Sequence, residues 1–452
     1  MKDIYLMKYA VKGIKSLSEW INLDFYKATI DKNFSIEKYN LKAIYGINGV
    51  GKTAIVRSVK ILRSILIDSS YLNNPIVQKE LDALINKRLN SLDIHVDFMI
   101  FTKTLPILFH YEIQIKRNTQ NRYDIYSELL SFRKATSHSS SDIKIFSIEN
   151  GQLLYLIGDE EGNTGYLKEK TQNLLNSASL ASLLLSKVVS LGEVQMNGNK
   201  WLSILNLYKF GLSLFVFLDQ EDEYSDYFVN DFLRFNPDIG IDSPEYTSLI
   251  KYKYKLDGIR RLSVSPERVT IPKLYFPEFE KTVQKLAGFL HIFKQDLQNI
   301  SIEKKEDNDF YFCSLVLNYK EYSVDAEFES TGIKKLIRLF SYFLAMTEEN
   351  IVFIDELDSN LHDVYLCALL EYLMEYSKGQ LCFTTHNIGP MDILKRNKKS
   401  IDFLSSDHKI YSWTASGNYS PSKLYKNGMI EGSPFNVDAT DFISVFGLSE
   451  EY

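Results

Sequence analysis

The sequence predicts an α/β fold organised around a phosphate-binding loop and divided by a long, mostly helical insertion. Three observations carry this expectation. A buried-type strand run at residues 41–45 leads straight into a glycine-rich turn and then a helical pattern. Residues 331–384 alternate helix, strand, helix, strand, as a sheet with helices on its faces requires. Between about residues 120 and 270 that alternation disappears.

Element by element, short strand-like runs at residues 4–10 and 20–25 come before the run at 41–45. A helix follows from Lys52 to about Asp68, its apolar face supplied by Ile55, Val59, Ile61, Leu62 and Ile65. Strands at 94–101 and 107–115 come after a helical connection. The middle of the chain holds a serine run (Ser137, Ser139, Ser140, Ser141), a leucine-rich helical stretch and the acidic segment DQEDEYSDYF at 219–228. From about Pro277 the pattern gives a helix at 279–297, strands at 310–319 and 322–328, and a helix at 331–346. A strand at 351–354, a helix at 363–376 and a strand at 380–384 complete the order. The chain thus divides into residues 1–120 with the loop, an insertion at 121–275 suited to a dimer or effector contact, and residues 276–452.

At 452 residues, 45% hydrophobic and 24% charged, the chain can bury a sizeable core as one large domain with an insertion, or as two. A net charge of −6 does not indicate DNA as a partner over the whole surface, although it leaves room for a local basic patch. Cys313, Cys367 and Cys382 lack CxxC spacing and give neither a disulfide framework nor a zinc site. A reducing cytoplasm fits this usage. The lysine-dotted N-terminus is no signal peptide, and the most apolar stretches, residues 180–191 and 202–218, are interrupted by polar side chains, so no membrane span is expected.

The strongest motif is GINGVGKT at residues 46–53, a complete GxxxxGK[ST] between strand and helix. Glycines at 46, 49 and 51 let the backbone curl, so that the amides of Asn48, Gly49, Val50 and Gly51 face phosphate oxygens at a helix N-terminus. Lys52 is then placed to reach the β- and γ-phosphates of ATP, and the Thr53 hydroxyl to ligate Mg²⁺. IVFIDE at 351–356 reads as a buried parallel strand ending in two carboxylates, at the strand end where α/β sheets bind ligands. Asp355 there suits Mg²⁺, and Glu356 suits a general base for the attacking water. ESTGIKK at 329–335 opens a helix; Ser330 and Gly332 suit a γ-phosphate, though Ser330 or Thr331 also reads as a plain N-cap. TTHN at 384–387 follows the last core strand and places His386 where an imidazole can meet a γ-phosphate.

This order of motifs, with LDSNLH at 357–362 after the paired acids, resembles the ATPase heads of the ABC type, shared by the RecF/SMC group and the OLD-type ATPases. It is similar in detail to the stand-alone AAA-type ATPases of bacterial abortive-infection and anti-phage systems, in which E-S-x-G, D-E-x-x-x-x-L-H and T-T-H-N recur. The tail, LYKNG at 424–428 and GSP at 432–434, is also similar to that family's closing segment. The resemblance spans roughly residues 1–115 and 275–435. It implies that Ser330 and Gly332 are a signature motif completing a partner subunit's ATP site, that residues 358–362 form the loop crossing between subunits, and that His386 is a switch histidine. The signature reads S-T-G rather than the transporters' S-G-G-Q, which disfavours a transporter subunit. OLD-family nucleases continue into a Toprim domain, and the roughly sixty residues after the histidine motif leave no length for one, so a separate effector is expected.

The expected function is therefore a regulatory ATPase that dimerises, or forms a higher homo-oligomer, on ATP and controls a separate nuclease or toxin in anti-phage defence. The alternative is a RecF/SMC-like DNA-binding ATPase of repair or maintenance. For that alternative the segment KYKYK at 251–255, with Arg260 and Arg261, interleaves cations and aromatics as a nucleic-acid groove does, but reads equally as an edge strand guarded by lysines.

Overall fold

The computed structural model describes residues 4–434 except 28–29, 31–33, 102–105, 137–140, 158–163, 185–197, 219–263, 308, 398 and 415–418. The acidic segment, the KYKYK segment with its two arginines, and all of the serine run but Ser141 lie outside these residues.

β1 (Ile4–Lys12), β2 (Ile21–Asp24) and β3 (Leu41–Tyr45) precede α1 (Lys52–Ile67) and α2 (Pro75–Leu84). β4 (Ser91–Phe101), β5 (Pro106–Arg117), β6 (Tyr123–Lys134), β7 (Ile143–Glu149) and β8 (Gln152–Leu156) follow, then α3 (Thr164–Thr171), α4 (Leu180–Leu184), α5 (Gly198–Ser213) and β9 (Leu214–Phe217). β10 (Val269–Pro272), α6 (Phe276–Phe293), β11 (Leu297–Asp307), β12 (Phe310–Tyr319), β13 (Ser323–Asp325) and α7 (Thr331–Thr347) lead back to the centre. β14 (Ile351–Ile354), α8 (Asp363–Tyr376), β15 (Gln380–Thr384), α9 (Gly389–Leu394), β16 (Ile401–Leu404), β17 (Ile410–Ser412) and α10 (Pro421–Lys426) end the described chain.

Two large sheets share one core. The first, in the order β2-β1-β4-β5-β6-β7-β8, is antiparallel; the second, β17-β16-β3-β15-β14-β9, is parallel apart from β17. Residues of both sheets and of α1 belong to a single apolar cluster. α1 is therefore buried on several faces, and its Ser58 hydroxyl lies 2.7 Å from the Tyr9 hydroxyl of β1. β3, β14 and β15 are buried at every position, as strands covered on both faces must be. Gln380 ties the sheets together: its side-chain oxygen accepts from the Leu6 amide at 2.8 Å and its nitrogen donates to the Leu6 carbonyl at 2.9 Å. A buried primary amide can satisfy both backbone groups at once, which an apolar side chain here would leave unpaired.

A second cluster joins α6, the first half of α7 and the sheet β10-β12-β11, with β13 paired to β12. α7 bridges the two cores, since Leu336 and Ile337 belong to one and Leu339 and Met346 to the other.

The structure differs from the sequence reading in the middle of the chain. Residues 121–275, expected to be largely helical, supply β6, β7 and β8 to the antiparallel sheet, β9 to the parallel sheet and β10 to the small one, beside α3, α4 and α5. β6 carries charges on a half-buried surface, so its alternation is weak. β9 is four apolar residues continuous with a helix, a case that periodicity alone cannot separate. The helix expected to reach residue 297 ends at Phe293, and β11, an edge strand rich in Lys and Glu, begins at Leu297. The strand expected at 322–328 is cut short, with Ser323–Asp325 extended and Ala326–Phe328 in a 3₁₀ turn. Among the described residues no helix is long and apolar enough to cross a membrane.

Candidate active site

Strand register brings the motifs to one edge. Ile44 of β3 pairs with Thr384 of β15, and Ile354 of β14 pairs with Phe383, so the three strands end at nearly the same level. Neighbouring strands lie ~4.8 Å apart, which sets the ends of β3 and β14 ~10 Å apart with the TTHN turn between them.

Leaving β3, the chain forms the loop GINGVGKT and enters α1 at Lys52. A side chain at Gly46 would place its Cβ 2.5 Å from the Leu404 carbonyl oxygen, and one at Gly51, where φ is +113°, would lie 2.8 Å from the Leu17 side chain. The loop is thus held in a cradle that side chains would fill. Asn48 and Gly49 form its exposed tip, Val50 packs inward and Thr53 is half-buried in the first turn of α1. Lys52 is 7% exposed, and its ammonium donates to the carbonyls of Gly46 at 2.8 Å and Ile47 at 3.1 Å. Burial pushes its pKa down, opposed by the negative charges of Asp355, Glu356 and Asp358.

At the end of β14, buried Asp355 accepts a 2.6 Å hydrogen bond from the Thr384 hydroxyl, and the same hydroxyl oxygen accepts from the Glu356 amide at 2.8 Å. Glu356 is exposed and adopts φ +47°, a left-handed turn that ends the strand at once. Its carbonyl accepts from the buried Lys335 ammonium of α7 at 2.7 Å. Asp358 accepts from the amides of His386 at 3.3 Å and Asn387 at 3.1 Å, tying the loop after β14 to the turn after β15. The His386 side chain is exposed. Its pKa is lowered, first by desolvation and then by the Lys52 charge, against Asp358, Glu356 and Asp355.

Lys52, Asp355, Glu356, Asp358 and His386 therefore share one electrostatic neighbourhood. Ser330 and Gly332 lie at the start of α7, against the loop that follows the paired acids. Ser330 caps α7 by accepting from the Ile333 amide at 3.5 Å, Gly332 lies so close that a Cβ would sit 3.0 Å from the Asn360 carbonyl oxygen, and neither hydrogen-bonds the phosphate loop among the described residues. Ser330 is exposed. Thr384, Lys335 and Asp358 as internal anchors were not singled out by sequence reasoning, although Thr384 stands within TTHN and Asp358 within LDSNLH.

The donor set fits a Mg²⁺ nucleotide: backbone amides, a helix N-terminus and a buried ammonium for phosphate, with a threonine hydroxyl and a buried carboxylate for a hard cation. A glycine-rich loop feeding a buried helix, facing a pair of acids at a parallel strand's end, defines a P-loop ATPase. The family described as "AAA domain, putative AbiEii toxin, Type IV TA system" matches residues 41–392, and the chain belongs to that family. A solved structure described as the recombination mediator protein RecF-ATPrS in the RecFOR pathway is similar at a TM-score of 0.37 and 11% identity, covering 91% of this chain and 99% of that one. No curated protein matches the chain.

Proposed function

We propose that the chain is a Mg²⁺-dependent ATPase whose heads pair around ATP and, in that state, control a separate nuclease or toxin in anti-phage defence. The observation that carries the reading is the gathering of the loop, the acids and His386 at one sheet edge, with Ser330 left exposed at the start of α7. Lys52, Asp355, Glu356 and His386 gather at one sheet edge, while Ser330 and Gly332 sit exposed or half-buried at the start of α7, available to a second copy.

In this reading the loop amides from Asn48 to Gly51 and Lys52 hold the phosphates. Thr53 and Asp355 would hold Mg²⁺, which supplies neutralising charge to the phosphate oxygens when bound. Glu356 takes a proton from the attacking water as its oxygen bonds to the γ-phosphorus and the bond to the bridging oxygen of ADP breaks. His386, whose pKa is lowered by desolvation and by the Lys52 charge, offers a ring N–H to the γ-phosphate. The effector role is supported by the family's description, which names a toxin and a toxin–antitoxin system.

The test separates binding from chemistry. Lys52→Ala should lose ATP, whereas Glu356→Gln should keep it, turn over ~10²-fold or more slowly, and accumulate as an ATP-bound dimer. Wild-type turnover in Glu356→Gln would defeat the assignment of the base. Phage plating on cells carrying the locus with wild-type or Lys52→Ala chain addresses the defence role, and equal plating would defeat it. ATP turnover that requires added DNA would favour the RecF/SMC-like alternative.

A further inference from the structure

The motif that the site above leaves unused is the tail, residues 419–434, which lies beyond the family match ending at residue 392. Its anchor is Tyr425 of α10, 7% exposed. The ring stacks on Phe403 of β16 at 5.5 Å and lies 6.0 Å from the ring of Tyr45, the residue before Gly46. The hydroxyl donates to the Gly432 carbonyl at 3.5 Å, and burial pushes its pKa up, with the nearby Gly46 backbone opposing. Gly432 has φ +85°, and a Cβ there would lie 2.9 Å from the Leu404 carbonyl oxygen, the same atom that crowds Gly46. One carbonyl is thus gripped between a glycine of the phosphate loop and a glycine of the tail. At its other end the segment binds α9, whose first residue stands three after His386: the Ser422 hydroxyl donates to Asp392 at 2.7 Å, and the Ser420 hydroxyl donates to the same carboxylate.

We propose that residues 419–434 form a clasp that holds the phosphate loop in its phosphate-binding shape and couples it to the helix behind His386, with Tyr425 as the positioning residue. This rests on the reading of GINGVGKT as the nucleotide site. Tyr425 touches no phosphate in this scheme. It acts through its ring beside Tyr45 and through Gly432, which presses on the same Leu404 carbonyl as Gly46, and so fixes the point at which the chain leaves β3 and orders the loop amides before ATP arrives. A preordered loop loses less conformational freedom on binding, and releasing it weakens ground-state affinity rather than the chemical step.

Amide hydrogen exchange of the full-length chain without nucleotide is the direct measurement, made on wild type, Tyr425→Phe and Ser420→Ala/Ser422→Ala, alongside ATP affinity, KM and kcat. Tyr425→Phe keeps the ring packing and removes only the hydroxyl. Exchange should quicken at residues 45–53 and not in the distant antiparallel sheet. ATP affinity should fall about 3- to 10-fold, the scale of one net hydrogen bond, with KM rising in step and kcat within about 2-fold of wild type. The serine pair variant should quicken exchange in residues 389–394 and weaken ATP in the same direction. Unchanged loop exchange in Tyr425→Phe overturns the clasp, as does an equal rise throughout the molecule or a loss confined to kcat. If Tyr425→Phe does not fold, the serine variant decides alone, and wild-type affinity there overturns the proposal. A wild-type chain that binds no ATP would defeat the nucleotide reading, while loop exchange would still decide whether the clasp exists.

Discussion

Thr384 concentrates the chemistry of the site in one hydroxyl. It donates to Asp355 and accepts from the Glu356 amide, so it orients the first carboxylate and fixes the backbone from which the second projects. Valine matches threonine in shape but can make neither bond. If Asp355 holds Mg²⁺ as proposed, Thr384→Val should lower kcat ~10- to 100-fold, the range found when a group that orients metal ligands is removed, while Thr384→Ser should recover most of the loss. Steady-state kinetics with a Mg²⁺ titration checks this, and a Val variant as active as wild type would show that Asp355 needs no such support. Asp355 and Glu356 were readable from sequence because an apolar run ending in two acids is a local pattern. Their brace was not, since Thr384 lies 28 residues beyond Glu356 and meets it only through the pairing of β14 with β15.

The antiparallel sheet carries its own charged cluster on β4 and β5. His110 Nδ1 lies 2.5 Å from an Asp97 oxygen and its Nε2 lies 2.7 Å from a Glu112 oxygen, so both ring nitrogens face carboxylates. The hydrogen bond to Asp97 is the main reason that its pKa rises from 6.5 to about 9, with burial opposing and Glu112 adding to the rise. A folded pKa above the unfolded one means stability that is fully present below pH 6.5 and is lost as pH climbs through about 9. His110→Gln should consequently lower Tm most at pH 6, and the difference from wild type should shrink toward pH 9.5. Calorimetry across that range tests it; a pH-independent gap would show that the imidazolium contributes nothing. The strands themselves were visible as alternating runs at 94–101 and 107–115, but which polar residues meet across them depends on register, His110 pairing with Asp97. A one-residue slip would turn each of these side chains to the other face.

For the whole molecule, the exposure of Ser330 at the start of α7 predicts how activity depends on assembly. If a second copy completes the site, specific ATPase activity should rise with protein concentration, or the chain should already be an oligomer at the lowest concentration assayed. Activity measured beside sedimentation velocity decides this, and full turnover from a verified monomer would refute it. Within one chain, Lys335 links the two halves by donating from α7 to the Glu356 carbonyl, so a shift of the exposed end of α7 has a path to the acid pair.

By itself the sequence determined the loop, the buried strands and the carboxylates, since glycine spacing, apolar runs and paired acids act through residues that are near in the chain. It also determined the α/β class, because strand–helix alternation reports which faces are buried. Only the tertiary structure decided what stands beside what. β15 inserts between β3 and β14 although it follows both, which is why TTHN comes between the phosphate loop and the acids. β9 and β6 joined sheets because each found a partner strand to satisfy its backbone, a gain that no local propensity records. Leu6 paired with Gln380 and Lys42 with Asp402 for the same reason: hydrogen bonds closing loops of hundreds of residues are chosen by the packed core, not by the neighbouring chain.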